Sequence, residues 1–185
     1  GRFSYARFLN LITLAKNTVG HSSPLLRFQL ASCLRIIHTI ESEINQSEMI
    51  MLNSIDKFDS PVFSIKGLGP ISALSIIAEY GNFVSFDSPA AMLSFAGLEP
   101  SVNQSGTLDK QGHMGKRGSG YLRETLMNVA SYFMMHNPPV YDYYHKKRLE
   151  GKSHRVALSH VVKKLVRIIF HLVKHNIHFD PLNLI

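Results

Sequence analysis

The chain has 185 residues, 45% of them hydrophobic and 18% charged, which is enough apolar material for a packed core and excludes a disordered polar segment. Its single cysteine, Cys33, excludes an internal disulfide framework, and no uncharged apolar run is long enough to span a bilayer. The net charge of +7 is unevenly placed: residues 109–174 hold thirteen Lys or Arg against four Asp or Glu. A basic half joined to a near-neutral half is the electrostatic footprint of nucleic-acid binding, ahead of an anionic membrane surface. A solvated basic face kept for solubility is the plain alternative. No cationic leader with an apolar core opens the sequence, which reads as cytosolic, and the initial glycine reads as a piece of a longer protein.

Residues 4–19 place Phe8, Leu11, Ile12, Ala15 and Val19 at helical spacing before Gly20 and Pro24. Leu30, Cys33, Ile37, Ile40, Ile44, Ser47 and Met51 then recur at alternating steps of three and four, the seam of a coiled coil. Residues 1–58 are thus expected to form a coiled-coil or helical-hairpin linker. Residues 25–58 either pair with a second copy in a homo-oligomer or close on the preceding helix. After Pro61, Gly67-Leu68-Gly69 and then Pro70 open a helix to Tyr80, the pattern of a helix-hairpin-helix over residues 63–81. Gly67, Gly69 and the free amides of the following helix can hold one phosphate of duplex DNA without reading its sequence. A tight glycine turn between two helices is the alternative.

Ser88 caps a short helix that begins at Pro89 and stops at Gly97. From there to residue 123 no periodicity survives, with an extended hairpin expected near residues 98–113. The stretch 94–123 concentrates six glycines with Lys110, Lys116, Arg117 and Arg123. Glycines let backbone amides approach a ligand and the cations neutralise phosphate, so residues 97–123 read as a polyanion-binding loop with Ser105 inside it. Three helices follow, over residues 121–136, 140–150 and 153–175. Lys146, Arg148 and Lys152, beside Tyr141, Tyr143 and Tyr144, either contact nucleic acid or stand over aromatics that close the core. The last helix leaves Lys163, Lys164, Arg167 and Lys174 on its exposed face. His171 and His175 lie one turn apart, but Leu172 stands where a zinc-binding helix would place Glu, so no metal site is expected in this chain. His113 is a phosphate contact or a polar loop residue. The fold class is predominantly α: a helical hairpin or coiled coil, then a compact helical domain over residues 59–185.

Several blocks in one order resemble the C-terminal domain of the DEDD insertion-sequence transposases, a family that includes the Piv-like invertases and the bridge-RNA-guided recombinases. They are Gly67-Leu68-Gly69-Pro70, Ile76-Ile77-Ala78-Glu79-Tyr80-Gly81, Phe95-Ala96-Gly97-Leu98-Glu99-Pro100, Ser105-Gly106, Gly112 to Gly118 leading into Leu122-Arg123, and Tyr144 and Arg148 with Gly151-Lys152. Together they cover about two thirds of the chain, from Ile65 to Asp180. The resemblance implies DNA strand exchange in which Ser105 attacks a scissile phosphate to form a phosphoserine link. It also implies a structured guide RNA, Mg²⁺ held by an upstream RuvC-like domain, and a prokaryotic, nucleoid-associated setting. On that reading these residues alone are inactive, with no cofactor site of their own. Asn82 and Gly115 depart from the Asp and Ser of the family pattern. Without the resemblance Ser105-Gly106 is an ordinary turn dipeptide, and the rival class is a non-catalytic nucleic-acid-binding and dimerisation module.

Overall fold

Helix starts fall where the sequence supplies a capping oxygen or a proline that needs no donor. The computed structural model describes residues 4–20, 23–99, 104–105, 108–109, 115 and 117–181, with the strand residues described by their backbone alone. Ser4 caps α1 (Tyr5–Lys16), and α2 (Pro24–Leu52) opens on a proline. Prolines also hold the first position of α3 (Pro70–Tyr80), α4 (Pro89–Phe95) and α6 (Pro138–Leu149). Ser119 and Ser153 cap α5 (Gly120–His136) and α7 (His154–His175) through side-chain oxygens that accept from Leu122 and Val156 amides. Two short strands, β1 (Gln104–Ser105) and β2 (Leu108–Asp109), pair antiparallel. The predominantly α fold class is what forms.

The chain divides into two compact units, residues 1–47 and 48–185. In the first, neither α1 nor α2 buries a side chain. Phe8, Leu11 and Ile12 of α1 are exposed, as are the seam residues Leu30, Ile37, Ile40 and Ile44 of α2. The cover expected from a self-contained hairpin is therefore not present among the described residues.

The second unit has a single core. Helical spacing puts Leu122, Leu126, Val129 and Phe133 on one face of α5, and Val161, Leu165 and Ile169 on one face of α7. They bury against Val62, Ile65, Ile76 and Met92, each 0 or 1% exposed apart from Val129 at 3%. Such side chains stabilise the fold by roughly 1.5–3 kcal/mol each relative to remaining in water. Asn137 is the buried polar exception, and its Nδ2 donates to the Lys66 carbonyl at 2.9 Å and the Phe133 carbonyl at 2.7 Å.

Two local expectations change. The helix placed at residues 140–150 starts at Pro138, because a proline at the first helical position carries no amide that would go unsatisfied. Ahead of the Gly67-Gly69 hairpin stands a 3-10 turn, Pro61–Ser64, and not an α-helix; Ser60 accepts from the Val62 amide to start it.

Candidate nucleic-acid site at the base of the glycine-rich loop

The long loop is pinned at its root by α3, α4 and α5. Helix α4 ends as Gly97 takes φ +66°, a left-handed value that favours glycine, and the Leu98 amide reaches back to the Leu93 carbonyl. The returning limb then closes on the outgoing one: the Gly115 amide donates to the Glu99 carbonyl at 2.8 Å and the Ser119 amide to the Phe95 carbonyl at 3.1 Å. Between them Gly118 adopts φ +135° with its backbone so close that an added Cβ would stand 2.1 Å from the Phe95 carbonyl oxygen.

Side chains complete the closure. Ser119 Oγ donates to Glu79 Oε2 at 2.6 Å while accepting the Leu122 amide at 3.1 Å, so one hydroxyl joins α3 to the start of α5. The Glu79 carboxylate thereby lies near the positive end of the α5 dipole, a favourable placement. Arg123, one turn into α5, donates Nη1 to the Ala96 carbonyl at 3.2 Å. It thus caps the end of α4 with at least one of its N–H groups. Behind the root, Tyr80, Phe86 and Phe95 form an aromatic cluster with ring centroids 5.5–5.9 Å apart. Burial pushes the Tyr80 phenol far above its ordinary range, and its hydroxyl donates to the Met92 carbonyl.

The loop tip carries the ladder. Gln104 pairs with Asp109 and Ser105 with Leu108, leaving two residues as the connection. Ser105 is thereby held on a paired backbone. Its side chain, together with Lys110, His113 and Lys116, lies outside the described residues, while Arg117 is exposed at the root.

The other expected cations group elsewhere. Arg148 Nη1 donates to the Lys152 carbonyl at 2.8 Å, bracing the turn between α6 and α7. Lys147 meets Glu150 at 2.8 Å, and this hydrogen bond raises the lysine pKa and lowers the carboxylate one. Lys146 is exposed. His160 of α7 is held below the ordinary imidazole value by burial first and then by Lys163, Lys147 and Lys152, with Glu150 opposing. The end of α6 and the middle of α7 therefore share one positive field. Sequence reasoning took Lys163, Lys164 and Arg167 only for an exposed face; the missed signal was a helix with cations on one stripe and no acid.

At the hairpin, Gly67 has φ +93° and its Cβ position falls 2.8 Å from Phe133 Cα and the Tyr132 carbonyl, so its role is close packing on α5. Gly69 has ordinary φ and nothing within 4 Å of its Cβ position, on the open side of the α3 N-terminus. Among the described residues no three His, Cys, Asp or Glu converge as a metal site; the His171 and His175 rings lie tilted to one another, with centroids 4.5 Å apart. No described helix is long and apolar enough to cross a membrane.

The clamped root thus lies in the same unit as the basic helices α6 and α7. Residues 59–145, a little under half of the chain, match the model described as "Transposase IS116/IS110/IS902 family". The chain is similar to an uncharacterized 43.6 kDa protein of insertion element IS110 from Streptomyces coelicolor, with 27% identity over 82% of this chain and 37% of that protein. It is likewise similar to an uncharacterized 44.8 kDa protein of insertion element IS116 from Streptomyces clavuligerus, at 30% identity over 64% of this chain and 30% of that protein. A pilin gene-inverting protein of Moraxella bovis shares 29% identity over 63% of this chain and 37% of its own length. The chain thus spans between 30 and 37% of the length of these three relatives.

Proposed function

We propose that the chain is part of a DNA transposase or recombinase of the DEDD type, and that its loop 97–123 presents Ser105 as the nucleophile of strand exchange. The observation that carries the reading is the clamped loop root within a segment matching a transposase family model. A nucleophile must be delivered to phosphorus within a few tenths of an ångström, and a long loop can do so only if its root is fixed.

The chemistry balances without an energy source. Ser105 Oγ forms a bond to phosphorus as the phosphorus–oxygen bond to one deoxyribose breaks. The serine proton goes to a base and the departing alkoxide gains one. A deoxyribose hydroxyl of the other partner later reverses the exchange. Serine needs help to lose its proton, and positive charge must meet the pentavalent transition state. Arg117 and the loop lysines, Lys110 and Lys116, fit the second need. The described residues offer no divalent-cation cluster, so Mg²⁺ for the first would be held by residues outside this chain, on a RuvC-like domain. A structured RNA would choose the DNA partners. Phosphate contact would come from the hairpin at Gly67 and Gly69, whose open second glycine leaves room for backbone approach, and from Arg123, Lys146, Arg148 and Lys152.

Binding of duplex DNA by such a surface is sequence-tolerant and falls steeply with salt. Fluorescence anisotropy should show a loss of about tenfold or more between low and physiological ionic strength. A flat salt profile would remove the electrostatic account.

The exposed seam of α2 supports pairing with a second copy through residues 25–58. Replacing Ile37 and Ile44 by Asp should convert a self-associating chain to a monomer in sedimentation, since each charge would have to enter an apolar interface. An unmodified chain that stays monomeric at high concentration sinks the pairing.

A further inference from the structure

Helix α7 carries five Lys or Arg and no Asp or Glu in 22 residues. His160, the adjacent Lys163 and Lys164, Arg167 and His171 follow one another at steps of three or four, which puts them on one stripe. Like charges at that spacing repel, so the stripe is costly to hold unless an anion is seated on it. Beside the stripe lies a cavity of about 740 Å³, walled by α7, Tyr143 of α6 and residues 177–180. That volume falls within the roughly 300–1,000 Å³ of sites that take small ligands.

We propose that this cavity takes one unpaired nucleotide of a nucleic-acid strand, with phosphate on Lys163, Lys164 and Arg167 and the base against Ile168, Leu172 and Phe179. The inference rests on the nucleic-acid reading above and adds to it a site on α7, outside the loop and the hairpin. The wall is built in advance. Asn176 turns the chain back at φ +50°, the Ile177 amide donates to the Leu172 carbonyl at 3.1 Å, and the Phe179 amide donates to Ser64 Oγ at 2.8 Å. The Phe179 ring sits edge-on to Phe133 with centroids 6.0 Å apart, which fixes the apolar floor.

The polar rim is ordered as well. Lys164 Nζ stands 5.2 Å from the centre of the Tyr143 ring, a cation–π placement that keeps the ammonium beside the mouth. Three permanent cations face one carboxylate, Asp180, which leaves the rim net positive. His160, His171 and His178 add ring nitrogens suited to base edges. A duplex keeps its bases stacked and presents only a convex backbone, so it can touch the rim but not the floor. An unpaired nucleotide can do both, as base-plus-phosphate sites for single strands do. Ribose and deoxyribose strands share this chemistry, and the test separates them.

The test uses the 185-residue chain and three labelled probes: oligodeoxyuridylate, oligouridylate and a blunt duplex with the same number of phosphates. Arg167→Glu should weaken binding of the preferred single strand by about tenfold while changing duplex binding by less than roughly threefold. Arg155→Glu makes the same charge change on the same helix away from the cavity, and should leave single-strand binding within roughly threefold. Both arginines are exposed, so neither change threatens folding, which circular dichroism checks. The deoxyuridylate and uridylate arms, which differ only at the 2′ position, tell which sugar is taken. Equal losses in the two variants, or displacement of the strand by oligoglutamate as readily as by unlabelled oligonucleotide, would mark a generic anion surface and overturn the site. Duplex binding with no single-strand binding overturns the site alone; loss of all nucleic-acid binding overturns the functional reading with it.

Discussion

Ser105→Ala should abolish the covalent protein–DNA species in the full-length protein with Mg²⁺ and its RNA, lowering strand cleavage by at least about a thousandfold. DNA occupancy should stay unchanged, because one loop hydroxyl contributes little to phosphate contact. Stability should move by less than about 0.5 kcal/mol, as for surface substitutions that break no core or cap. Arg117→Ala is the informative contrast: it removes charge from the transition state but not the attacking atom, so cleavage should slow without stopping. The measurement is a denaturing gel of protein crosslinked to end-labelled DNA at matched occupancy. A Ser105→Ala protein that still forms a denaturant-resistant adduct moves the nucleophile to another hydroxyl. Ser119 is then the best-connected candidate, since its Oγ already donates to the Glu79 carboxylate at 2.6 Å. No adduct in either protein, with DNA bound, would favour the non-catalytic binding module.

The parts of this molecule legible in the sequence are those set by neighbours within a few residues. Apolar spacing located α5 and α7, and Pro70 and then Ser88 with Pro89 marked the starts of α3 and α4, because caps and periodicity are local. The 3-10 turn before the hairpin was legible only as a short apolar turn, since a stretch of four residues carries too little periodicity to tell its helix type. For the candidate loop, composition was legible and geometry was not. Arg123 looked like a free phosphate clamp, yet it donates to the Ala96 carbonyl across 27 residues of chain. The tie from Glu79 to Ser119 spans 40 residues, and the tail is fastened to Ser64 across 115. Contacts of that range depend on how the helices stack, which no spacing rule reports. The cavity on α7 exists only because the tail turns back, so its cations read as ordinary solvated surface.

Gly118→Ala should be among the most destabilising single-methyl changes available in the second unit. Two costs act together. At φ +135° an alanine is strained, by about 1–3 kcal/mol on the scale of residues held in sparsely populated backbone regions. The new Cβ would also stand 2.1 Å from the Phe95 oxygen and 2.9 Å from the Gly97 nitrogen, both backbone atoms that cannot rotate away. Relief requires the limbs to part, breaking the 3.1 Å bond from the Ser119 amide to Phe95 and loosening the hydroxyl that ties α5 to Glu79. Losing such a bond at a partly buried position adds about 1 kcal/mol or more. Together these amount to about 2–4 kcal/mol, which for a chain of this size lowers Tm by on the order of 10 °C. Gly69→Ala supplies the internal comparison: its φ is ordinary and its Cβ position is empty, so stability should change by less than about 1 kcal/mol, and in the stabilising direction if the helix start tolerates it. Thermal unfolding of the two variants side by side makes the check. A Gly118→Ala protein melting within about 2 °C of the parent would mean that the root opens at little cost. A root that opens so easily could not hold Ser105 in position for attack, and the clamped-loop account of the site would fall with it.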